Sequence, residues 1–261
     1  MSGMGSELRT RAVVGVVLIA VALGALLSGG LLFWALLSVA GVLMQAEWAD
    51  LSGASADHKK LSMYAVSVPL AILCPLAAGL SWFAIGLLVA AFLFVIGGTR
   101  SVRLALGVLY VCLPVMALLF LRGQGPNIFG LTLALWALAL VWATDIGAYF
   151  AGRSIGGPKL APRISPSKTW SGLGGGVVAA LLIGFLLHRF AGLPIELAAA
   201  SGLLAVAAQA GDLLESAMKR RAGVKDSGSL LPGHGGVLDR LDGVVTAAPL
   251  AALLYLMLVL R

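Results

Sequence analysis

Long apolar stretches separated by short polar segments run along almost the whole chain. A helix needs about 20 mainly apolar residues to cross a bilayer, and nine stretches approach that length. They lie at residues 12–28, 31–47, 62–80, 82–97, 104–121, 128–150, 173–193, 196–218 and 237–260. The pattern predicts an all-α fold, namely a polytopic integral membrane protein with about nine transmembrane helices.

Four prolines fall inside these stretches, at Pro69, Pro75, Pro114 and Pro249. Transmembrane helices tolerate proline because neighbouring helices and local adjustments satisfy the freed backbone groups. We therefore keep each stretch as one span, including the third, which only a short and nearly all-apolar turn near 77–81 separates from the fourth.

Positive charges fall mainly on one side of the predicted topology. With the N-terminus in the cytoplasm, fifteen of the eighteen Lys and Arg residues lie on the cytoplasmic side, and only Arg122, Arg189 and Arg261 lie outside. Cytoplasmic loops are the ones enriched in Lys and Arg, so we expect a cytoplasmic N-terminus and a C-terminus outside. This topology places the polar loops 151–172 and 219–236 together at the cytoplasmic face.

The composition also indicates a membrane protein. Charged residues make up 11% of the chain and hydrophobic residues 60%, whereas soluble domains carry roughly 25% charged residues. The formal net charge of +7 does not indicate a nucleic-acid partner, because no basic run with interleaved aromatic residues is present. We expect the first apolar run to remain as an anchor, since no small-residue cleavage site follows it.

Charged residues are concentrated in residues 211–243, which hold five of the eleven acidic residues and five of the eighteen basic ones. Ionisable side chains are unfavourable in lipid, so such a cluster indicates a site, here one for polyphosphate and a divalent metal. Asp212, Ser216 and Lys219 follow at spacings of four and three, which places them on one face of the eighth predicted helix. An ion pair between Asp212 and Lys219 that only stabilises helix packing is the alternative.

Residues 232–236 form a glycine-rich turn, PGHGG, before the ninth predicted helix. Glycine N–H groups can cradle phosphate, although the same glycines could serve only as a tight entry into that helix. Three roles stay open for His234: a hydrogen-bond donor to phosphate, a metal ligand or a turn residue. Asp239 and Asp242 offer the oxygen ligands that suit Mg²⁺, or they stabilise the helix N-terminus through its macrodipole.

A second polar group lies around the loop between the sixth and seventh predicted helices. Asp145 lies near the end of the sixth helix, and Ser165, Lys168 and Thr169 lie in the loop. Hydroxyls, a lysine and backbone N–H groups together would form a second phosphate clamp. Asp145 could instead be the counter-ion of a lysine in that loop, and the glycines of residues 172–176 could serve close helix packing.

Two segments resemble those of a known family. Residues 216–242, SAMKRRAGVKDSGSLLPGHGGVLDRLD (the signature segment), resemble the full signature of the phosphatidate cytidylyltransferase (CDP-diacylglycerol synthase) family of bacterial type. Residues 145–169, DIGAYFAGRSIGGPKLAPRISPSKT, are similar to the family's second motif. The family commonly has Glu at the position of Ser171, so no carboxylate is expected to act there in this chain.

The resemblance implies transfer of the cytidylyl group of CTP to phosphatidate, giving CDP-diacylglycerol and pyrophosphate for phospholipid synthesis. It also implies dependence on Mg²⁺, K⁺ as a second ion, a homodimer, and a multi-pass location in the bacterial cytoplasmic (inner) membrane. The attacking group is the phosphate monoester of phosphatidate. Its second pKa is about 6, so it is largely ionised at neutral pH and no strong general base is needed to deprotonate it. Catalysis is expected to consist of positioning and charge stabilisation.

The expected site residues form three groups. Catalytic roles are expected for Lys219, Lys225, Asp226, His234 and Arg240. Substrate binding is expected of Asp145, Ser165, Lys168, Thr169, Ser216, Arg220, Gly235 and Gly236. Metal ligation is expected of Asp212, Asp226, Asp239 and Asp242. Residues 124–261 would thus form the catalytic region, and residues 1–123 a transmembrane scaffold.

Two other classes of function stay open at this point. A related CTP-dependent enzyme could act on another lipid, as a CDP-archaeol-type synthase or a polyprenol kinase does. A transporter would place polar residues along a path through both leaflets, whereas the first five predicted helices are nearly free of charge at mid-depth.

Overall fold

The computed structural model describes residues 2–230 and 235–259, with side chains described from residue 13 onward. In this part of the chain, nine helices and one short hairpin account for the regular structure. The elements are α1 (Ser2–Ser28), α2 (Gly30–Leu51), α3 (Ala56–Ile72), α4 (Trp82–Thr99), α5 (Val102–Arg122), α6 (Asn127–Ser154), β1 (Lys159–Ala161), β2 (Ser165–Thr169), α7 (Trp170–Ala191), α8 (Ile195–Arg221) and α9 (Leu238–Leu258).

Seven of the described helices, α2 and α4 to α9, are long and apolar enough to cross a membrane. Many large apolar side chains on them face outward, for example Trp82 (87% exposed), Ile128 (77%) and Phe190 (78%). A surface of this kind requires lipid rather than water around it. The prediction of a polytopic, helical membrane protein is therefore confirmed, while the count of nine crossings and the orientation of the termini stay predictions.

The third predicted span was placed wrongly. The structure has α3 at Ala56–Ile72 rather than at 62–80, and Ser55 caps its start by accepting a hydrogen bond from the N–H of His58 at 3.3 Å. Pro75 explains the early end, because proline disfavours helical backbone at the residue before it and lacks an N–H donor. The other three prolines do lie inside helices, as predicted.

The loop predicted at 151–172 is shorter than expected and partly ordered as β-structure. α6 continues to Ser154, α7 begins at Trp170, and β1 pairs antiparallel with β2 between them. Lys159 lies opposite Thr169 in this hairpin. The loop predicted at 219–236 also shortens, since α8 continues through Arg221.

The chain folds as two compact units. Unit 1 contains Met1–Val115 and Arg221–Leu241, and unit 2 contains Met116–Arg220 and Asp242–Arg261. The signature segment is thus divided between them. The predicted division into a scaffold and a catalytic region concerns function rather than compactness, and it stays a prediction.

In unit 1, Trp48 anchors α2 against α5. Its indole Nε1 donates to the carbonyl oxygen of Arg103 at 2.9 Å, and its ring lies 4.7 Å from that of Tyr110 between centroids. The ring occupies the space that a side chain at Gly107 would need. This close fit holds the end of α2 in place.

In unit 2, glycines bring α6 and α7 into close contact. A Cβ at Gly175 would lie 2.8 Å from the carbonyl oxygen of Gly147 and would overlap the methyl group of Ala151, and a Cβ at Gly176 would lie 2.9 Å from the carbonyl oxygen of Thr144. Backbones approach this closely only through small residues. The glycine run after the second motif therefore serves helix packing, the alternative given above.

Candidate active site

In unit 2, Gly211 and Gly243 allow close packing of α8 against α9 beside two carboxylates, Asp212 and Asp242. A Cβ at Gly211 would lie 2.5 Å from the carbonyl oxygen of Asp242, and one at Gly243 would lie 3.4 Å from the methyl group of Ala208. The hydroxyl of Thr246 also donates to the carbonyl oxygen of Ala207 at 2.7 Å. These contacts fix α9 against α8 at the level of Asp212, the residue that follows Gly211.

Three carboxylates and one ammonium form what we term the carboxylate cluster: Asp145 of α6, Lys168 of β2, Asp212 of α8 and Asp242 of α9. Lys168 Nζ forms an ion pair with Asp212 Oδ2. Asp242 lies within electrostatic reach of all three other members. With every member ionised, the cluster carries two net negative charges, which would attract a divalent cation.

Gln209 extends this cluster and was missed by sequence reasoning. Its side chain is 5% exposed, and Nε2 donates to Asp145 Oδ1 at 3.3 Å. A signal was present, since Gln209 is a polar residue in an otherwise apolar run, three positions before Asp212. Two residues three apart share a helical face.

The predicted polar face of α8 is confirmed, and the structure also shows which side chains on it contact each other. The hydroxyl of Ser216 donates to Asp212 Oδ1 at 3.3 Å. Lys219 Nζ lies 3.1 Å from Glu215 Oε1, whose side chain is buried. Ion pairing thus joins Lys168 to Asp212 and Lys219 to Glu215.

The second motif positions Lys168 through the start of α7. The hydroxyl of Thr169 accepts from the N–H of Gly172 at 3.0 Å, which caps the helix. Ser171 Oγ lies 3.0 Å from that hydroxyl and donates to the carbonyl oxygen of Gly156. Thr169 is buried, so its hydroxyl orders the turn beside Lys168. Ser165 lies at the other end of β2.

Unit 1 contains the entry into α9, residues 226–228 and 235–239 (the α9 entry). Asp239 Oδ2 accepts from the N–H of Ser227 at 2.8 Å, from its hydroxyl at 2.9 Å and from the N–H of Gly236 at 2.8 Å. Gly235 has a φ of +78°, which favours glycine. At Gly235 and Gly236 the structure has the tight helix entry that was given as the alternative, and the Gly236 N–H expected to bind phosphate donates to Asp239 instead.

Glu47 is the second residue that sequence reasoning missed. Its Oε1 accepts from the N–H of Val237 at 2.9 Å, and its Oε2 accepts from the N–H of Leu238 at 2.8 Å. The side chain is only 6% exposed. A carboxylate at the end of an apolar run is itself a signal, but position 47 is also the predicted end of the second span, where a charged residue is ordinary.

Other expected site residues lie at the surface of their units or outside the described residues. Lys225 and Asp226 of unit 1 are exposed, as are Arg240 of unit 1 and Arg220 of unit 2. His234 lies outside the described residues. Their assigned roles stay predictions.

The described side chains allow a test for a metal site. Among residues 13–230 and 235–259, no three side chains of His, Cys, Asp or Glu are grouped so that they could hold a metal ion by themselves. The carboxylate cluster nevertheless offers oxygen ligands alone, the chemistry that Mg²⁺ prefers. Mg²⁺ is usually bound through one or two carboxylates together with substrate phosphates, so the donor set fits this ion.

Sequence similarity to known proteins extends over nearly the whole chain. The model of the cytidylyltransferase family matches residues 9–258. The chain is 42% identical over 257 residues to the phosphatidate cytidylyltransferase of Brucella suis biovar 1 (strain 1330), with 96% of this chain and 93% of the relative covered. It is 40% identical over 270 residues to that of Pseudomonas aeruginosa, with 95% and 97% covered. A match to the enzyme of Bacillus subtilis (strain 168) is 47% identical over 144 residues, about half of each chain.

Proposed function

The chain belongs to the cytidylyltransferase family, and from this we propose that it transfers the cytidylyl group of CTP to phosphatidate. The products are CDP-diacylglycerol, which stays in the membrane, and pyrophosphate. The observation that carries the proposal is the 42% identity with a phosphatidate cytidylyltransferase across 96% of the chain. A membrane protein is suited to a substrate whose acyl chains lie in the bilayer.

We propose that Asp212 and Asp242 hold Mg²⁺ together with the phosphates of CTP, with K⁺ as a second ion. The grouping of these carboxylates and their all-oxygen donor set support this assignment. Bound Mg²⁺ would offset the negative charge of the triphosphate. Asp145 adds a third negative charge, and Gln209 holds that carboxylate in place. Asp239 is a weaker candidate, because three donors already engage its Oδ2.

Lys168 is the residue that we expect to meet the substrate phosphates. Its ammonium group lies among carboxylates and is paired with Asp212. Mg²⁺ held by Asp212 would supply positive charge beside that carboxylate, and Lys168 would then be available to contact a phosphate oxygen of CTP. An oxygen of phosphatidate then attacks the α-phosphorus of CTP, the bond from that phosphorus to the bridging oxygen breaks, and pyrophosphate leaves. The protein contributes positioning and positive charge rather than a general base.

We further propose nine membrane crossings with the N-terminus in the cytoplasm, an active site at the cytoplasmic face of the bacterial inner membrane, and a homodimer. The uneven distribution of Lys and Arg between the predicted sides supports this topology. CTP is supplied from the cytosol, so a cytoplasmic site would give it direct access to the lipid phosphate.

The proposed reaction is tested with purified protein in detergent, phosphatidate, Mg²⁺ and CTP labelled on the α-phosphate. Label should appear in a liponucleotide, pyrophosphate should be released in equal amount, and chelation of Mg²⁺ should stop both. Release of CDP would instead indicate a lipid kinase. If no product forms with phosphatidate but product forms with an ether-linked or polyprenyl acceptor, that other lipid is the substrate.

A further inference from the structure

Glu47 joins the N-terminal helices to the most highly charged part of the chain. Its carboxylate accepts hydrogen bonds from the N–H groups of Val237 and Leu238 and lies beside the hydroxyl of Ser227, residues that are 180 to 191 positions away in sequence. The first N–H groups of a helix have no partner within it. In α9, a side chain of α2 supplies that partner.

The surroundings of Glu47 leave its carboxylate little freedom. The neighbouring Trp48 is bound to α5 through its indole N–H. A Cβ at Gly228 would lie 2.8 Å from Glu47 Oε1, and a Cβ at Gly236 would lie 2.5 Å from Oε2. The two glycines therefore provide the space in which the carboxylate reaches the backbone.

Ser227 connects Glu47 with Asp239. Its hydroxyl lies 3.0 Å from Glu47 Oε2 and 2.9 Å from Asp239 Oδ2, and its N–H donates to the same oxygen of Asp239. A displacement of Glu47 would therefore be transmitted to Asp239. Arg240, which we expect to act in catalysis, is the next residue.

We propose that Glu47 is a positioning residue for cytidylyl transfer, holding the α9 entry in its active conformation without touching the substrate. The proposal rests on the proposed function, because the residues that it positions are those expected to act in that reaction. The N–H groups of residues 236–238 are engaged by Glu47 and Asp239. Substrate phosphates are therefore bound by side chains rather than by these N–H groups.

Two substitutions separate the charge of Glu47 from its size. Glu47→Gln preserves volume, but an NH₂ group then faces one of the backbone N–H groups of α9, and that group loses its acceptor. Glu47→Asp shortens the side chain and keeps an acceptor-only carboxylate. Asp50→Asn is the matched control, because Asp50 lies in the same helix, has a 55% exposed side chain and pairs with Lys59 at 2.5 Å.

Turnover with CTP and phosphatidate is the first measurement, made on folded protein after size-exclusion chromatography. We expect Glu47→Gln to lower kcat by about 10- to 100-fold with the KM for CTP changed less than about threefold, since a misplaced group affects the transition state most. Glu47→Asp should retain more activity than Glu47→Gln. Packing alone predicts the reverse order, because Gln matches the size of Glu and Asp does not. That reverse order, or an unchanged kcat in Glu47→Gln, would overturn the proposal.

Hydrogen–deuterium exchange of the peptide covering residues 235–241 is the second measurement, and it does not depend on activity. Whichever of the Val237 and Leu238 amides loses its acceptor should exchange at least about tenfold faster in Glu47→Gln than in the wild type. Asp50→Asn should exchange like the wild type. Unchanged exchange in Glu47→Gln would refute the contact, and a lower KM for CTP would show that Glu47 competes with the nucleotide instead of positioning the segment.

If Glu47→Gln yields no folded protein, Ser227→Ala provides the test, since it removes only the hydroxyl between Glu47 and Asp239. It should lower kcat and speed exchange of residues 235–241, and wild-type values for both would reject the proposal. Failure of the wild-type protein to form a liponucleotide would reject the proposed function. The exchange measurement would still decide whether Glu47 holds the α9 entry.

Discussion

The packing of α6 against α7 gives a prediction whose magnitude follows directly from the structure. Gly174 and Gly175 are adjacent in α7, but a Cβ at Gly174 would have no atom within 4 Å, whereas one at Gly175 would lie 2.8 Å from the carbonyl oxygen of Gly147. Ordinary van der Waals contact begins at 3.4 Å, so Gly175→Ala requires a separation of at least 0.6 Å there (3.4 − 2.8). Overlap with the methyl group of Ala151 requires more.

Both alanine substitutions add the same methyl group to the same helix, so the intrinsic preference of about 0.5–1 kcal/mol for Ala over Gly cancels between them. The remaining difference is the overpacking of Gly175→Ala, about 1–3 kcal/mol. With about 2–4 °C per kcal/mol for a chain of this size, Gly175→Ala should unfold about 2–12 °C below Gly174→Ala. Thermal unfolding in detergent, followed by tryptophan fluorescence, measures this difference.

Activity gives an independent readout of the same packing. Asp145 lies in α6, and Lys168 lies in β2, two residues before the start of α7, so separating the helices should move members of the carboxylate cluster apart. Gly175→Ala should lower turnover several-fold at a temperature where it is still folded, and Gly174→Ala should not. Equal unfolding temperatures for the two variants would refute the close contact between α6 and α7.

Three further substitutions test the site. Asp212→Asn should lower pyrophosphate release at least about tenfold and raise the Mg²⁺ concentration needed for half-maximal rate, because one oxygen ligand is lost; an unchanged Mg²⁺ requirement would remove Asp212 from the ligand set. Lys168→Met should raise the KM for CTP and lower kcat, together at least about tenfold, since a positive charge beside the phosphates is lost; wild-type kinetics would contradict its role. Thr169→Val should lower stability by about 1 kcal/mol through loss of the α7 cap, seen as a lower unfolding temperature, and full stability would show that the cap contributes nothing.

Helices were predictable from the length of the apolar stretches, and most bounds agree closely. The fourth span, predicted at 82–97, is observed at Trp82–Thr99, because lipid selects for uninterrupted apolar length and little else. The third span was wrong because apolarity continued past Pro75, where the backbone could not continue as helix. The hairpin of β1 and β2 was not predicted, because β1 has only three residues and β2 is mostly polar, without the alternation that indicates a strand.

The candidate site was predictable where charges were dense in sequence and not where partners were distant. Asp212, Asp242 and Lys168 were chosen because polar residues crowd these motifs, and the structure places them in one cluster. Glu47 acts on residues at least 180 positions away. No spacing rule connects positions at that separation, so only the folded chain shows the contact.

The two aspartates of the DRLD sequence illustrate a further limit of spacing. Asp239 and Asp242 are three residues apart and were given the same expected role, that of metal ligands. In the structure, Oδ2 of Asp239 accepts three hydrogen bonds from the α9 entry. Among the described residues, the side chain of Asp242 accepts one, from the adjacent N–H of Gly243 at 2.7 Å. A carboxylate whose oxygen is saturated by donors orders the backbone, and one with free acceptor capacity near other negative charges is suited to a cation. The distinction depends on neighbouring donors, which residue type and spacing do not reveal.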